Sequence, residues 1–115
     1  MPKVYLVNEP RVNNRGEILD YSKAETYGEV VIIFDANKWP KPSKDASAAL
    51  KHASDVLDDL TEDDYILYCG GDAIALAIVA MIADKFLEGR TKFLRWDRYK
   101  DSDDGQYRVI KVDNE

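Results

Sequence analysis

The chain predicts an α/β fold: one Rossmann-like domain over residues 1–115, with about five strands in a mostly parallel sheet, two main helices and an antiparallel C-terminal hairpin. Three observations predict it. Short apolar runs at Val30–Phe34 (VVIIF) and Asp64–Cys69 (DYILYC) are each followed by a helical pattern, which is the rhythm of two β-α-β units. The first helical pattern shows a single apolar stripe, as a helix laid on a sheet should. The last two segments, RTKFLRW and QYRVIKVD, alternate with a period of two and are joined by the polar turn KDSDDG. Right-handed crossovers between the first strands then leave the hairpin as an antiparallel edge.

Taken in order, KVYLVNE from Lys3 is the first strand, ended by Pro10. Residues 11–29 are polar and weakly periodic, with a turn at Asn13–Gly16, and force no helix of ordinary length. Val30–Phe34 is the strongest strand signal, a continuous β-branched run of the kind that parallel sheets bury on both faces. After DANKWPKPSKD, Ser43 is expected to cap a helix whose apolar stripe is Ala46, Ala49, Leu50, Ala53, Val56, Leu57 and Leu60. Its wet face carries Asp45, His52, Asp55 and Asp59. In the next unit Gly70-Gly71 turns the chain, Asp72 caps, and the helix runs to about Glu88 with Gly89 just past its end.

Charge and cysteine content narrow the classes. With 22 acidic and 16 basic residues the net charge is -6, which opposes broad affinity for nucleic acid or anionic membrane. A lone Cys69 makes no internal disulfide, and no zinc-ligand spacing is present. The longest apolar run, Ala73–Ala83, is eleven residues, short of the roughly 20 that span a bilayer, and the N-terminus lacks a signal-peptide pattern. A soluble protein of the cytoplasm is the expectation.

The stretch YCGGDA raises the question of a phosphate pocket. Neither G-x-G-x-x-G nor G-x-x-x-x-G-K-[ST] is there. An aspartate at the cap accepts the helix-terminal N–H bonds and sets a negative charge where a phosphate would sit. A plain strand–turn–helix junction is therefore the leading reading, with a ligand or nucleotide crevice at Asp35, Gly70, Gly71 and Asp72 as its rival. An enzyme reading rests on strand-end acids alone. Asp35 and Asp72, with Asp97, would suit Mg²⁺; otherwise no cofactor, no metal site and no catalytic residue is predicted. Cys69 has no arginine a few residues downstream to complete an anion loop, and is read as a buried structural thiol.

Two surfaces remain. Asp55–Asp64 holds six acids and no base, whereas Arg90–Lys100 holds five bases and one acid. Arg90, Lys92, Arg95, Trp96, Arg98 and Lys100 are the candidate nucleic-acid contacts, although strand alternation sends Lys92 and Arg95 to opposite faces. The second helix is apolar nearly all round. Beyond an alanine ridge at Ala73, Ala77 and Ala80, it carries Ile74, Ile78 and Met81, which need cover from the 11–29 loop (through Ile18, Leu19 and Tyr21) or from a second copy in a dimer. These three are the candidate self-association residues.

Asn8-Glu9-Pro10 after the first strand, Asp64-Tyr65 leading to Gly71-Asp72 before an alanine-rich helix, and Lys92, Leu94, Trp96, Asp97 and Arg98 as K-x-L-x-W-D-R resemble the pattern of a family of small bacteriophage- and prophage-associated proteins. Cys69-Gly70 departs from it. The resemblance implies a small phage accessory protein, placed in the host-cell cytoplasm, and carries over no catalytic residue. Two functions follow for test: a non-enzymatic accessory protein acting through a protein partner or homodimer, or a nucleic-acid or nucleotide binder.

Overall fold

The structure, a computed structural model, describes residues 2–9, 22–35, 42–68, 71–98 and 105–113. Five strands form one sheet: β1 (Lys3–Asn8), β2 (Glu29–Phe34), β3 (Tyr65–Leu67), β4 (Arg90–Arg98) and β5 (Gly105–Asp113). Their spatial order is β2-β1-β3-β4-β5, with the first four parallel and β5 antiparallel to β4. The predicted α/β class, the mostly parallel sheet and the C-terminal antiparallel pair are all present. The KDSDDG turn lies outside the described residues.

Helices α1 (Ala46–Val56) and α2 (Ala73–Phe86) make the β2-α1-β3 and β3-α2-β4 crossovers on the same face of the sheet. Ala49, Ala53 and Leu57 from the α1 side, and Ala75, Ile78, Val79, Ile82 and Ala83 from α2, close over Tyr5, Val7, Ile33 and Ile66. The opposite face is covered differently. A 3-10 turn at Ser22–Thr26 lays Ala24 onto Val4, Leu6, Leu67, Leu94 and Tyr107, and Tyr27 sets its ring edge-on to Tyr65 at 5.5 Å. The Tyr27 hydroxyl donates to the Tyr107 carbonyl at 3.1 Å, fastening this turn to β5. Ile18, Leu19 and Tyr21 lie outside the described residues.

One expectation about the sheet is corrected. Val30–Phe34 is an edge strand, paired with β1 alone, and Val30, Val31 and Ile32 are only half-buried. The strand buried on both faces is β1, where Val4, Tyr5, Leu6 and Val7 are 0–1% exposed. The reason is topological. The β2-α1-β3 crossover passes over β1, so the first strand becomes internal whatever the relative apolarity of the two runs. Tyr65–Leu67 is parallel and internal as expected, with Ile66 and Leu67 buried.

The helix ends bring two more corrections. Asp45, not Ser43, caps α1, its carboxylate accepting from the Ala48 amide at 3.1 Å. Ser43 is turned toward Asp72 instead. At the far end of α2 the C-cap is Leu87, so Glu88, with φ of 53°, takes the left-handed position assigned to Gly89. Gly89 follows at φ 83° and its amide donates to the Asp84 carbonyl at 3.1 Å, which closes a Schellman turn. The acidic stretch also contains a structural member. Asp64 is buried, and its carboxylate accepts from the amides of Lys3 and Thr61, both at 2.8 Å, holding the start of β1 against the turn before β3.

Candidate functional site

The chain leaves β1 for β2 on one side and later crosses to β3 on the other, so the connections diverge between β1 and β3. In open α/β sheets the crevice outside the strand C-termini at such a reversal is where ligands bind. Asn8 and Glu9 end β1 here; Tyr68, Gly71 and Asp72 follow β3. Gly71 sits at φ 101°, and a Cβ there would lie 3.0 Å from the Asn8 amide nitrogen, so both conformation and space call for glycine. The Asn8 amide donates to the Asp72 carbonyl at 3.5 Å, and the Tyr68 hydroxyl to that of Gly71 at 3.1 Å.

Asp72 caps α2 as predicted, accepting from the Ile74 amide at 2.9 Å. The same carboxylate accepts the Ser43 hydroxyl at 2.7 Å and the Ser43 amide at 3.0 Å, joining the start of α2 to the approach to α1. The Ser43 hydroxyl bond holds the Asp72 carboxyl below its ordinary value, partial burial opposes this, and the amides of Ser43, Ile74 and Ala75 reinforce it. The helix terminus is thus filled by its own carboxylate. Asp35 is half-buried just past β2; Gly70 and Cys69 lie outside the described residues. Among the described residues no group of three or more His, Cys, Asp or Glu side chains is arranged to hold a metal ion.

The profile of the Phage Pam3 gp32-like protein family matches residues 2–114, nearly the whole chain. The chain belongs to that family. No curated protein and no solved structure matches it. The expected phage association is therefore shown, and the family's description attaches no activity to the crevice.

The basic segment resolves into two places. Strand β4 carries Arg90 and Lys92 at its start, next to acidic residues: Arg90 pairs with Glu62 at 3.3 Å, and Lys92 stands 4.4 Å over the Tyr65 ring. Arg95 is exposed on the opposite face near the strand's other end. Trp96 and Arg98 lie on β4 but their side chains are outside the described set, as is Lys100 altogether. Among the described residues, Arg90 and Lys92 face one side of the sheet and Arg95 the other.

The self-association set also divides. Ile78 is buried at 7% exposure in the core beneath α2, while Ile74 and Met81 are 44% and 65% exposed. Ala77 is exposed between them. The alanines that do face the sheet are Ala75 and Ala83.

His52 was expected on the wet face of α1 and is not there. It is half-buried, its Nε2 lies 2.7 Å from the Ile33 carbonyl, and its ring is 5.8 Å from that of Phe34. A carbonyl only accepts, so Nε2 carries a proton. The helix wheel alone places this residue away from the stripe. Knowing that β2 is the edge strand, beside which α1 leans, is what brings it inward. Tyr5 is a second residue without a sequence signal. Its hydroxyl is buried with no hydrogen-bond partner among the described residues, and burial raises its pKa, with the charges of Asp64, Asp59 and Glu29 adding to the effect.

Proposed function

We propose that the protein is a non-enzymatic phage accessory protein of the host-cell cytoplasm that works by protein contact, pairing with a second copy of itself through the outer face of α2. The observation that carries this reading is the stripe Ile74, Ala77 and Met81, spaced i, i+3, i+7 on one exposed side of the helix. Large side chains exposed to this degree two turns apart on one helix face gain from burial, at roughly 25 cal/mol per Å² of apolar surface.

The stripe suits a two-fold partner. In an antiparallel pairing centred between Ala77 and Ile78, Ile74 of each copy meets Met81 of the other, and the alanine permits close approach at the crossing. Lys85, exposed on the same flank, is then carried over the start of the partner helix, where Asp72 supplies the opposite charge. Broad nucleic-acid binding is no part of this reading, since the net charge of -6 opposes it.

Replacing Met81 by Glu tests the contact. Light scattering at micromolar concentration should show the parent protein as a dimer and the Met81→Glu variant as a monomer with unchanged far-ultraviolet circular dichroism. A variant that stays as associated as the parent removes α2 from the interface.

A further inference from the structure

The register of β4 and β5 sets Lys92 directly opposite Lys111. Like charges so placed on neighbouring strands disfavour the pairing. Leu94 and Val109, the next facing pair on this side, pack in one cluster with Tyr65. Alternation therefore puts both lysines on that same face, toward the N-terminal ends of the parallel strands. Among the described residues neither ammonium forms an ion pair with a carboxylate. Both line a depression of about 230 Å³, whose rim also holds Arg90, Glu62 and Asp63. Glu62 is engaged by Arg90 at 3.3 Å, so its charge is already matched.

The two lysines differ in how firmly they are held. The Lys92 ammonium lies 4.4 Å over the Tyr65 ring, and Tyr27 sets its own ring edge-on to Tyr65 at 5.5 Å. Tyr27 in turn is fastened to β5 through its hydroxyl bond to the Tyr107 carbonyl. A lysine positioned in this way loses less rotamer freedom when an anion binds beside it. Lys111 is exposed, and its backbone is about 5 Å from that of Lys92 across the strand pair. Two long side chains rooted this close on one face can bring their charges to a single group. The ring eases the desolvation of Lys92, but it leaves the repulsion between the two ammonium ions in place.

We propose that Lys92 and Lys111 bind the phosphate group of a small ligand in this depression. A dianion between two ammonium ions turns their repulsion into shared attraction. Lysine meets phosphate as a point charge, so no fixed fork of donors is required. The volume limits the ligand. Ordinary small-molecule pockets hold about 300–1,000 Å³, so about 230 Å³ takes a phosphate head with a short organic part and leaves anything larger in solvent. The rim limits it further. Glu62 and Asp63 would repel the successive phosphates of a polynucleotide, which selects an isolated phosphate group. The lysines lie on the face of the sheet away from α1 and α2, so the site is independent of the contact proposed for α2.

Amide-detected NMR titration at a constant ionic strength of about 0.15 M, with chloride as the balancing anion, tests this with inorganic phosphate and glycerol phosphate. Binding on the order of millimolar is expected, with the amides of Lys92 and Lys111 shifting most. Lys92→Ala and Lys111→Ala should each weaken it roughly tenfold. Lys51→Ala, exposed on α1 across the sheet, should leave it unchanged. Lys111→Glu reads folding and binding separately. It sets an opposite charge across from Lys92, so the thermal midpoint in chloride should rise while phosphate binding is lost. An ester held at least as tightly as phosphate identifies the ligand as an organic phosphate; tighter inorganic phosphate identifies the free ion. No residue-specific shift by about 20 mM of either probe, an equal loss from Lys51→Ala, or binding that survives Lys111→Glu would overturn the site. A lower midpoint for Lys111→Glu would also contradict it, because the lysine pair would then carry no repulsion for a phosphate to relieve.

Discussion

Helices α1 and α2 pack against each other on one face of one sheet and start from the same device, an aspartate at the cap. Their outer surfaces differ. The exposed side of α1 carries Ser47, Lys51 and Asp55, with Leu50 as its one large apolar group, whereas α2 shows Ile74, Ala77 and Met81 before any charge appears at Asp84 and Lys85. The inner surfaces are alike: alanines and branched side chains at 0–7% exposure close over the same strands. The apolar content of α2 therefore exceeds what the monomer core uses, with Ile74, Ala77 and Met81 on one exposed side and Phe86 at the helix end.

The largest expected effect separates the two sides of α2. Ile78→Ala should cost about 2–5 kcal/mol in urea unfolding, because it removes buried methylenes and leaves a cavity. Met81→Ala, exposed on the next turn, should change monomer stability by less than about 0.5 kcal/mol. Equal costs would erase the distinction between core and surplus.

The two helix caps differ in how many bonds they hold. Asp45→Ala removes one bond to the Ala48 amide and should cost about 0.5–1 kcal/mol. Asp72→Ala also releases the two bonds from Ser43 and should cost about 1–2 kcal/mol. Asp72 has a pH signature as well. Its native pKa lies below the ordinary value of 3.8, so the unfolded chain takes up the proton first. The stability it contributes is complete above the ordinary aspartate range and is lost as pH falls through the lowered native pKa. Asp72→Asn should therefore flatten the acid limb of a stability–pH profile measured from pH 7 downward (roughly the neutral reference). An unchanged limb would mean that the Ser43 bond does not form in solution.

The smallest effect concerns the far ends of the helices. α1 passes into a 3-10 turn at Leu57–Asp59 without a left-handed residue, whereas α2 ends through Glu88 at φ 53°. A side chain in that conformation carries a steric cost that glycine does not. Glu88→Gly should raise the thermal midpoint, with a gain of up to about 1 kcal/mol. A loss would place a stabilising contact on the Glu88 side chain.

The elements themselves were legible in the sequence because local periodicity encodes them: all five strands, both helices, the Asp72 cap and the antiparallel C-terminal pair. What periodicity does not encode is position within the sheet. VVIIF reads as the most deeply buried strand and is an edge; KVYLVN reads as an ordinary strand and is internal, with Val4, Tyr5, Leu6 and Val7 buried. His52 follows from the same gap, since its inward turn depends on which strand lies beneath α1. Ser43 was misread for a related reason. Its local setting suits a cap, and the partner that claims it lies 29 residues on. At the candidate site, Asp72 was legible as a cap, but the close approach of Asn8 to Gly71 comes from the pairing of β1 with β3.

On the proposed reading, the surplus apolar face of α2 is closed by a second copy of the chain. Sedimentation equilibrium of the unaltered protein at micromolar concentration measures this directly. The predicted result is a mass of twice 13.1 kDa, falling toward the monomer on dilution. A mass of 13.1 kDa that does not change with concentration would contradict it.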